Sequence, residues 1–201
     1  MKRVGLLGGS FNPAHAGHLH ISREALKRLQ LDEIWWLVAP QNPLKPRGDM
    51  APYATRLASA KNMAADPRIR VRDLEAKAGL YFTVDTLRHL TTRYRNMQFF
   101  WLMGADNLAQ FHRWKAWRTI AAMVPILVLD RAPYAYAALH APAPALLKPY
   151  RLPGARSFAN PGLRLPAWAY LIIPRHPLSA THLRKTLGKK AFLVHTDSSS
   201  P

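Results

Sequence analysis

The chain runs to 201 residues, 49% of them hydrophobic, with no cysteine and a formal net charge of +18. That length buries one full core and is short for two, no apolar run reaches membrane-crossing length, and disulfides and thiolate metal sites are excluded, which suits the cytoplasm. The charge draws anions toward the surface without choosing among nucleotides, nucleic acids and anionic lipid, since the Lys and Arg are scattered rather than gathered into one run.

Met1-Lys2-Arg3 followed by Val4 to Leu7 imitates the opening of a signal peptide, but Gly8-Gly9-Ser10 cut the apolar stretch too early, so residues 3 to 7 read as a first strand. From about 17 to 30, Leu19, Ser22, Leu26 and Leu29 recur at helical spacing. Asp32 to Ala39 is a second buried strand, ended by Pro40 and followed by a Pro-rich loop through Pro52. Residues 53 to 65 can form a helix, Ile69 to Val71 a short strand, and Val84, Leu87, Leu90 and Tyr94 mark a helix leading into the apolar run Phe99 to Met103. One helix carrying Leu108, Phe111 and Ile120 is expected before the strand Val124 to Leu129. Tyr170 to Ile173 then precedes a last helix from about 180.

Strands alternating with helices imply a doubly wound, Rossmann-like α/β fold: a mostly parallel sheet with helices on both faces. Between 132 and 168 the segment is rich in Ala and Pro and carries no sustained period, so an irregular excursion is expected there. We expect one domain over 1–190 and a tail over 191–201 whose end is disordered.

The strongest chemical signal is Gly8-Gly9-Ser10-Phe11-Asn12-Pro13-Ala14-His15-Ala16-Gly17-His18, between the first strand and the first helix. In doubly wound sheets ligands sit at the carboxyl ends of the strands, where a helix N-terminus offers free N–H groups and partial positive charge to phosphate. The paired glycines allow a close backbone approach. His15 and His18 can point into one phosphate-sized space and donate to phosphoryl oxygens. A dinucleotide-binding fingerprint would need a third glycine and an acidic residue about 20 positions on, and that arrangement is missing.

This block resembles the signature of the nucleotidyltransferase superfamily, whose members use a His-x-Gly-His pair on the phosphates of ATP or CTP. Class I aminoacyl-tRNA synthetases share the pair, but they are longer and carry a lysine-rich second motif absent here. Over roughly residues 3 to 187 the chain is similar to the bacterial nicotinate mononucleotide adenylyltransferases. Leu178 to Arg184 resembles that family's Ile-Ser-Ser-Thr-x-Ile-Arg block, with Ala180 in place of a serine. Hydroxyls and N–H groups at a helix start, with an Arg one turn in, make a suitable cradle for β- and γ-phosphates.

The resemblance implies catalytic roles for His15, His18 and Arg184, and ATP contacts from Gly8, Gly9, Ser10, Phe11, His15, His18, Lys45, Ser179, Thr181 and Arg184. For the mononucleotide it implies Asp106 in Gly104-Ala105-Asp106, Arg131, Trp114 stacking on the nicotinate ring and Thr83 beside its carboxylate. The segment Tyr81 to Leu87 departs from the family's Tyr-Thr-Val-x-Thr-Leu by the insertion of Phe82.

The implied reaction is an in-line attack by a mononucleotide phosphate oxygen on the α-phosphate of ATP, expelling pyrophosphate. For such a transfer, positioning and charge neutralisation suffice, with Mg²⁺ arriving on the triphosphate rather than in a protein cage. No membrane or nucleic-acid partner is expected. A pantetheine-phosphate adenylyltransferase or a cytidylyltransferase would share the first block without requiring the Asp106-to-Trp117 group. A nucleic-acid-binding module, suggested by the charge, would bind DNA or RNA with steep salt dependence and turn over no ATP.

Overall fold

The computed structural model describes residues 1–41, 50–130, 135–160 and 162–174. Strand β1 (Lys2–Gly9) carries the first apolar run and ends in the glycine turn. Helix α1 (Ala16–Leu29) follows, buries Leu19, Ala25, Leu26 and Leu29, and stops where Gln30 turns left-handed. Then come β2 (Glu33–Val38), buried at every position, α2 (Tyr53–Met63), β3 (Ile69–Arg72), the single turn α3 (Leu74–Lys77), α4 (Thr83–Arg93) and β4 (Met97–Gly104). Helices α5 (Ala105–Gln110) and α6 (Trp117–Met123), strand β5 (Ile126–Asp130), helices α7 (Ala135–Leu139) and α8 (Pro142–Leu146), and strand β6 (Trp168–Ile172) complete the described strands and α-helices.

The strands form one sheet in the order β3-β2-β1-β4-β5-β6, and every neighbouring pair is parallel. Because strand side chains alternate, the sheet divides the core in two. Val4, Leu6, Trp35, Trp101 and Val128 face α4, α5 and α6, whereas Leu7, Trp36, Phe100, Leu102 and Leu127 face α1 and α2. This is the doubly wound architecture expected from the alternation of elements.

Two expectations need correction. The helix drawn through Leu108, Phe111 and Ile120 is three pieces: α5, a 3-10 turn at Phe111–Arg113, and α6. The chain breaks because Trp114 is extended (φ −75°, ψ 139°) and Ala116 is left-handed (φ 51°). A continuous helix would leave both indoles on related faces. The break instead buries Trp117 and leaves Trp114 half-buried. The 132–168 excursion is also less irregular than its composition suggests, since α7 and α8 lie in it and Ala143, Leu147 and Phe158 are buried, the last edge-on to Phe100. The helix expected from about 180 lies outside the described residues.

Among the described residues, no helix is long and apolar enough to cross a membrane.

Candidate active site

The strand order reverses direction between β1 and β4, and chains leaving the carboxyl ends of these two strands diverge to opposite faces. A cleft of about 440 Å³ opens there. It is lined by Gly8, Gly9, Ser10, Phe11 and His18 from the first crossover, by Thr83 at the start of α4, and by Asp106 and Trp114 beyond β4. Eight residues singled out from three separate stretches of sequence therefore share one concavity.

Gly8 owes its identity to tertiary packing. A Cβ built there would stand 2.7 Å from Cη2 of Trp101, whose indole is 2% exposed and cannot swing aside. Gly9 is less constrained, because its Cβ would meet only the Phe11 ring at ordinary contact distance. We expect Gly8→Ala to cost about 1–3 kcal/mol in urea unfolding through overpacking against Trp101. The same change at Gly9 should cost less, and equal losses would contradict the contact with Trp101.

The turn that follows is held tightly. Phe11 is left-handed (φ 45°) and its ring stacks on Trp36 at 5.1 Å, so this side chain belongs to the core while its backbone lines the cleft. Asn12 precedes a cis peptide to Pro13, and its Oδ1 accepts from the Ala51 N–H at 3.1 Å.

His15 is the N-cap of α1. Its Nδ1 accepts from the Gly17 N–H at 3.1 Å, while the His15 N–H donates to Nδ1 of His18 at 3.2 Å. This reciprocal pair is a capping box with imidazoles in place of hydroxyl and carboxylate. Since both Nδ1 atoms accept, a neutral ring at either position carries its proton on Nε2. The rings lie 4.0 Å apart, but His15 is 2% exposed, behind His18, and only His18 lines the cleft.

On the other wall, Phe82 caps α4 without a side-chain hydrogen bond, so first-turn N–H groups beside Thr83 remain for another acceptor. Trp114 stands edge-to-face with Trp101 (6.1 Å) and Phe111 (5.5 Å), which fixes its ring plane. Asp106 is exposed in the first turn of α5, and its carboxylate folds over Gly104 into space a Cβ would occupy. Lys45, Arg131, Ser179, Thr181 and Arg184 lie outside the described residues, as does Ala180.

Reading the sequence alone missed Glu75, Trp101, Lys115 and Arg56. Glu75, Trp101 and Lys115 line the cleft, the Lys115 Nζ lying 4.2 Å from the Phe82 ring centroid and 3.7 Å from Asp85. Glu75 is 7% exposed and accepts from the Thr86 hydroxyl at 2.8 Å; burial pushes its carboxyl up to about 7. None of these belongs to a motif; Arg56 is not itself part of the cleft lining but reaches the carbonyls of two lining residues, Ser10 and Ala39. Among the described residues, no group of three His, Cys, Asp or Glu could hold a metal ion.

Comparison with known proteins gives the same picture. Residues 6–190 match the family model described as cytidylyltransferase-like. A protein of Bradyrhizobium sp. (strain BTAi1) named probable nicotinate-nucleotide adenylyltransferase is 52% identical over 186 residues, covering 92% of this chain and 97% of that protein. One of the same name from Parvibaculum lavamentivorans is 50% identical over 186 residues, covering 92% of each. In fold, the chain is similar to the Plasmodium falciparum nicotinic acid mononucleotide adenylyltransferase complexed with NaAD, at a TM-score of 0.68 and 18% identity over 94% of this chain and 86% of that one. Half the residues shared, over nearly the full length of both chains, is far beyond what a common sheet topology alone requires. The chain belongs to the cytidylyltransferase-like family and, within it, to the nicotinate-nucleotide adenylyltransferases.

Proposed function

We propose that this cleft joins the adenylyl group of Mg·ATP to nicotinate mononucleotide, giving nicotinate adenine dinucleotide and pyrophosphate. A phosphate oxygen of the mononucleotide forms the new bond to Pα as the Pα–O–Pβ bond breaks, and both electrons of that bond leave with pyrophosphate. No covalent enzyme intermediate is required. The observation that carries the reading is the meeting of two chemistries in one cavity: a glycine turn with His18 on one side, and Thr83, Asp106 and Trp114 on the other.

In this reading the backbone of Gly8 to Phe11 and the Nε2–H of His18 face the phosphates, where they meet charge that grows during transfer. Trp114 stacks on the pyridine ring, and the uncapped start of α4 at Thr83 faces its carboxylate. Lys45, Ser179, Thr181 and Arg184 are assigned to the triphosphate and Arg131 to the mononucleotide by family resemblance. Mg²⁺ enters as part of the ATP substrate, bound to phosphates and water. The same reading assigns the reaction to the cytoplasm, where Mg·ATP is held.

The test is pyrophosphate release with Mg·ATP and a panel of nicotinate mononucleotide, its amide and phosphopantetheine. Nicotinate mononucleotide should be the best acceptor, and preference for phosphopantetheine would overturn the assignment. Replacing Trp114 by alanine should raise KM for nicotinate mononucleotide about tenfold, the equivalent of about 1.4 kcal/mol of stacking, and leave KM for ATP nearly unchanged. An unchanged acceptor KM would remove Trp114 from the ring site.

A further inference from the structure

Arg56 sits in the first turn of α2, outside every motif, and is 1% exposed. Its guanidinium donates four hydrogen bonds, each to a backbone carbonyl. Nη1 reaches Ser10 O at 2.6 Å and Ala39 O at 2.8 Å, Nη2 reaches Pro40 O at 2.9 Å, and Nε reaches Ala51 O at 3.0 Å. Among the described residues it makes no ion pair, and its charge meets only those neutral oxygens and the face of Tyr53 at 5.4 Å. Burial draws its guanidinium below the usual arginine value.

For the fold alone, this is an odd place for a cation. The first turn of a helix disfavours positive charge, and a buried charge that meets no counter-ion among the described residues is costly. Both penalties shrink if an anion binds on the far side of the Ser10 turn. The carbonyls matter for the same reason. Ser10 and Ala39 line the cleft at the ends of β1 and β2, where a polyphosphate would sit. A phosphate site needs N–H groups forward and oxygens turned away. Arg56 collects the oxygens from behind the wall. Ala51 is gripped twice, its carbonyl by Arg56 and its N–H by Asn12, so the clamp also fixes the Ser10 to Asn12 turn against the segment leading into α2.

We propose that Arg56 is a positioning residue for the triphosphate of the nucleotide substrate, acting from behind the cleft by holding the Ser10 and Ala39 carbonyls away from the phosphates and lending them its buried positive charge. This rests on the adenylyl-transfer reading above, and it assigns the effect to the nucleotide half of the site alone. Lysine at this position keeps the charge but has three donors on one atom, so it cannot serve four carbonyls lying in different directions.

The experiment compares wild type, Arg56→Lys and Arg56→Met. It reads thermal midpoint, KM for ATP, KM for nicotinate mononucleotide, and calorimetric affinity for a non-hydrolysable ATP analogue. The expected result is a folded Arg56→Lys protein in which KM for ATP rises at least tenfold and analogue affinity falls in step, while KM for nicotinate mononucleotide stays within twofold. A folded Arg56→Met protein should be worse again on the ATP side only. Three results would overturn the proposal: ATP binding unchanged in a folded variant, both KM values rising together, or an Arg56→Lys chain that does not fold, which would make Arg56 a residue of the fold rather than of the site. If wild type forms no dinucleotide from nicotinate mononucleotide, the functional reading fails by itself, and analogue binding still decides the role of Arg56.

Discussion

Replacing His18 by alanine is expected to lower turnover by about two to three orders of magnitude, the usual loss when one preorganised donor to a reacting oxygen is removed. The same change should lower stability by only about 1 kcal/mol. The asymmetry follows from geometry. His18 lines the cleft and is half-buried, with its ring packed 4.7 Å from Phe11 and 4.0 Å from His15. Its Nδ1 is engaged by the His15 N–H, so the proton of a neutral ring sits on Nε2 in a direction already set before substrate arrives. Alanine removes that donor and leaves one backbone N–H of the α1 start without its acceptor. Single-turnover pyrophosphate release and urea unfolding of the same preparation measure the two quantities. A variant that turns over at a near-normal rate would take His18 out of the chemistry.

Glu75 should make stability fall as pH rises from acid toward neutrality, the reverse of the usual carboxylate behaviour. Its side chain is buried where α3 meets α4, its partner among the described residues is the Thr86 hydroxyl rather than a cation, and burial raises its pKa from 4.5 to about 7. Between those two values the folded chain holds a proton that the unfolded chain has released, so the slope of unfolding free energy with pH is negative. The stabilisation is complete below 4.5 and is lost as pH passes 7. The total is on the order of 3 kcal/mol. Glu75→Gln keeps an acceptor for Thr86 and removes the titration. Urea unfolding at several pH values should therefore show wild type losing stability relative to Glu75→Gln by that amount between about pH 4.5 and 8. A difference between the two proteins that does not vary with pH would mean that the carboxylate is solvated as it ionises.

These two residues also mark where sequence reasoning succeeds and where it stops. His18 could be found in the linear chain because its task is local. The glycine turn, the cap and the second imidazole all lie within one crossover, and the capping geometry of α1 needs only residues 15 to 18. The alternation of strands and helices was legible for a similar reason, since buried parallel strands such as Glu33–Val38 show as short apolar runs, and α4 shows its period in Val84, Leu87 and Leu90. The break between α5 and α6 was not legible, because Phe111, Trp114 and Trp117 fit a helical spacing, and only their packing against Trp101 and each other selects a bend.

Glu75 and Arg56 carry no local signal at all. An acid in a four-residue helical turn and an arginine in the first turn of α2 read as solvated surface, which is where such residues usually lie. What the amino-acid order alone determined was the class of fold, the phosphate-facing turn with its histidines and, through resemblance, the family. What only the tertiary structure decided was which charged groups are stripped of water: the ends of β1 and β2 bring the Ser10, Ala39 and Pro40 carbonyls onto Arg56, α4 brings Thr86 onto Glu75, and desolvation depends on such neighbours distant along the chain.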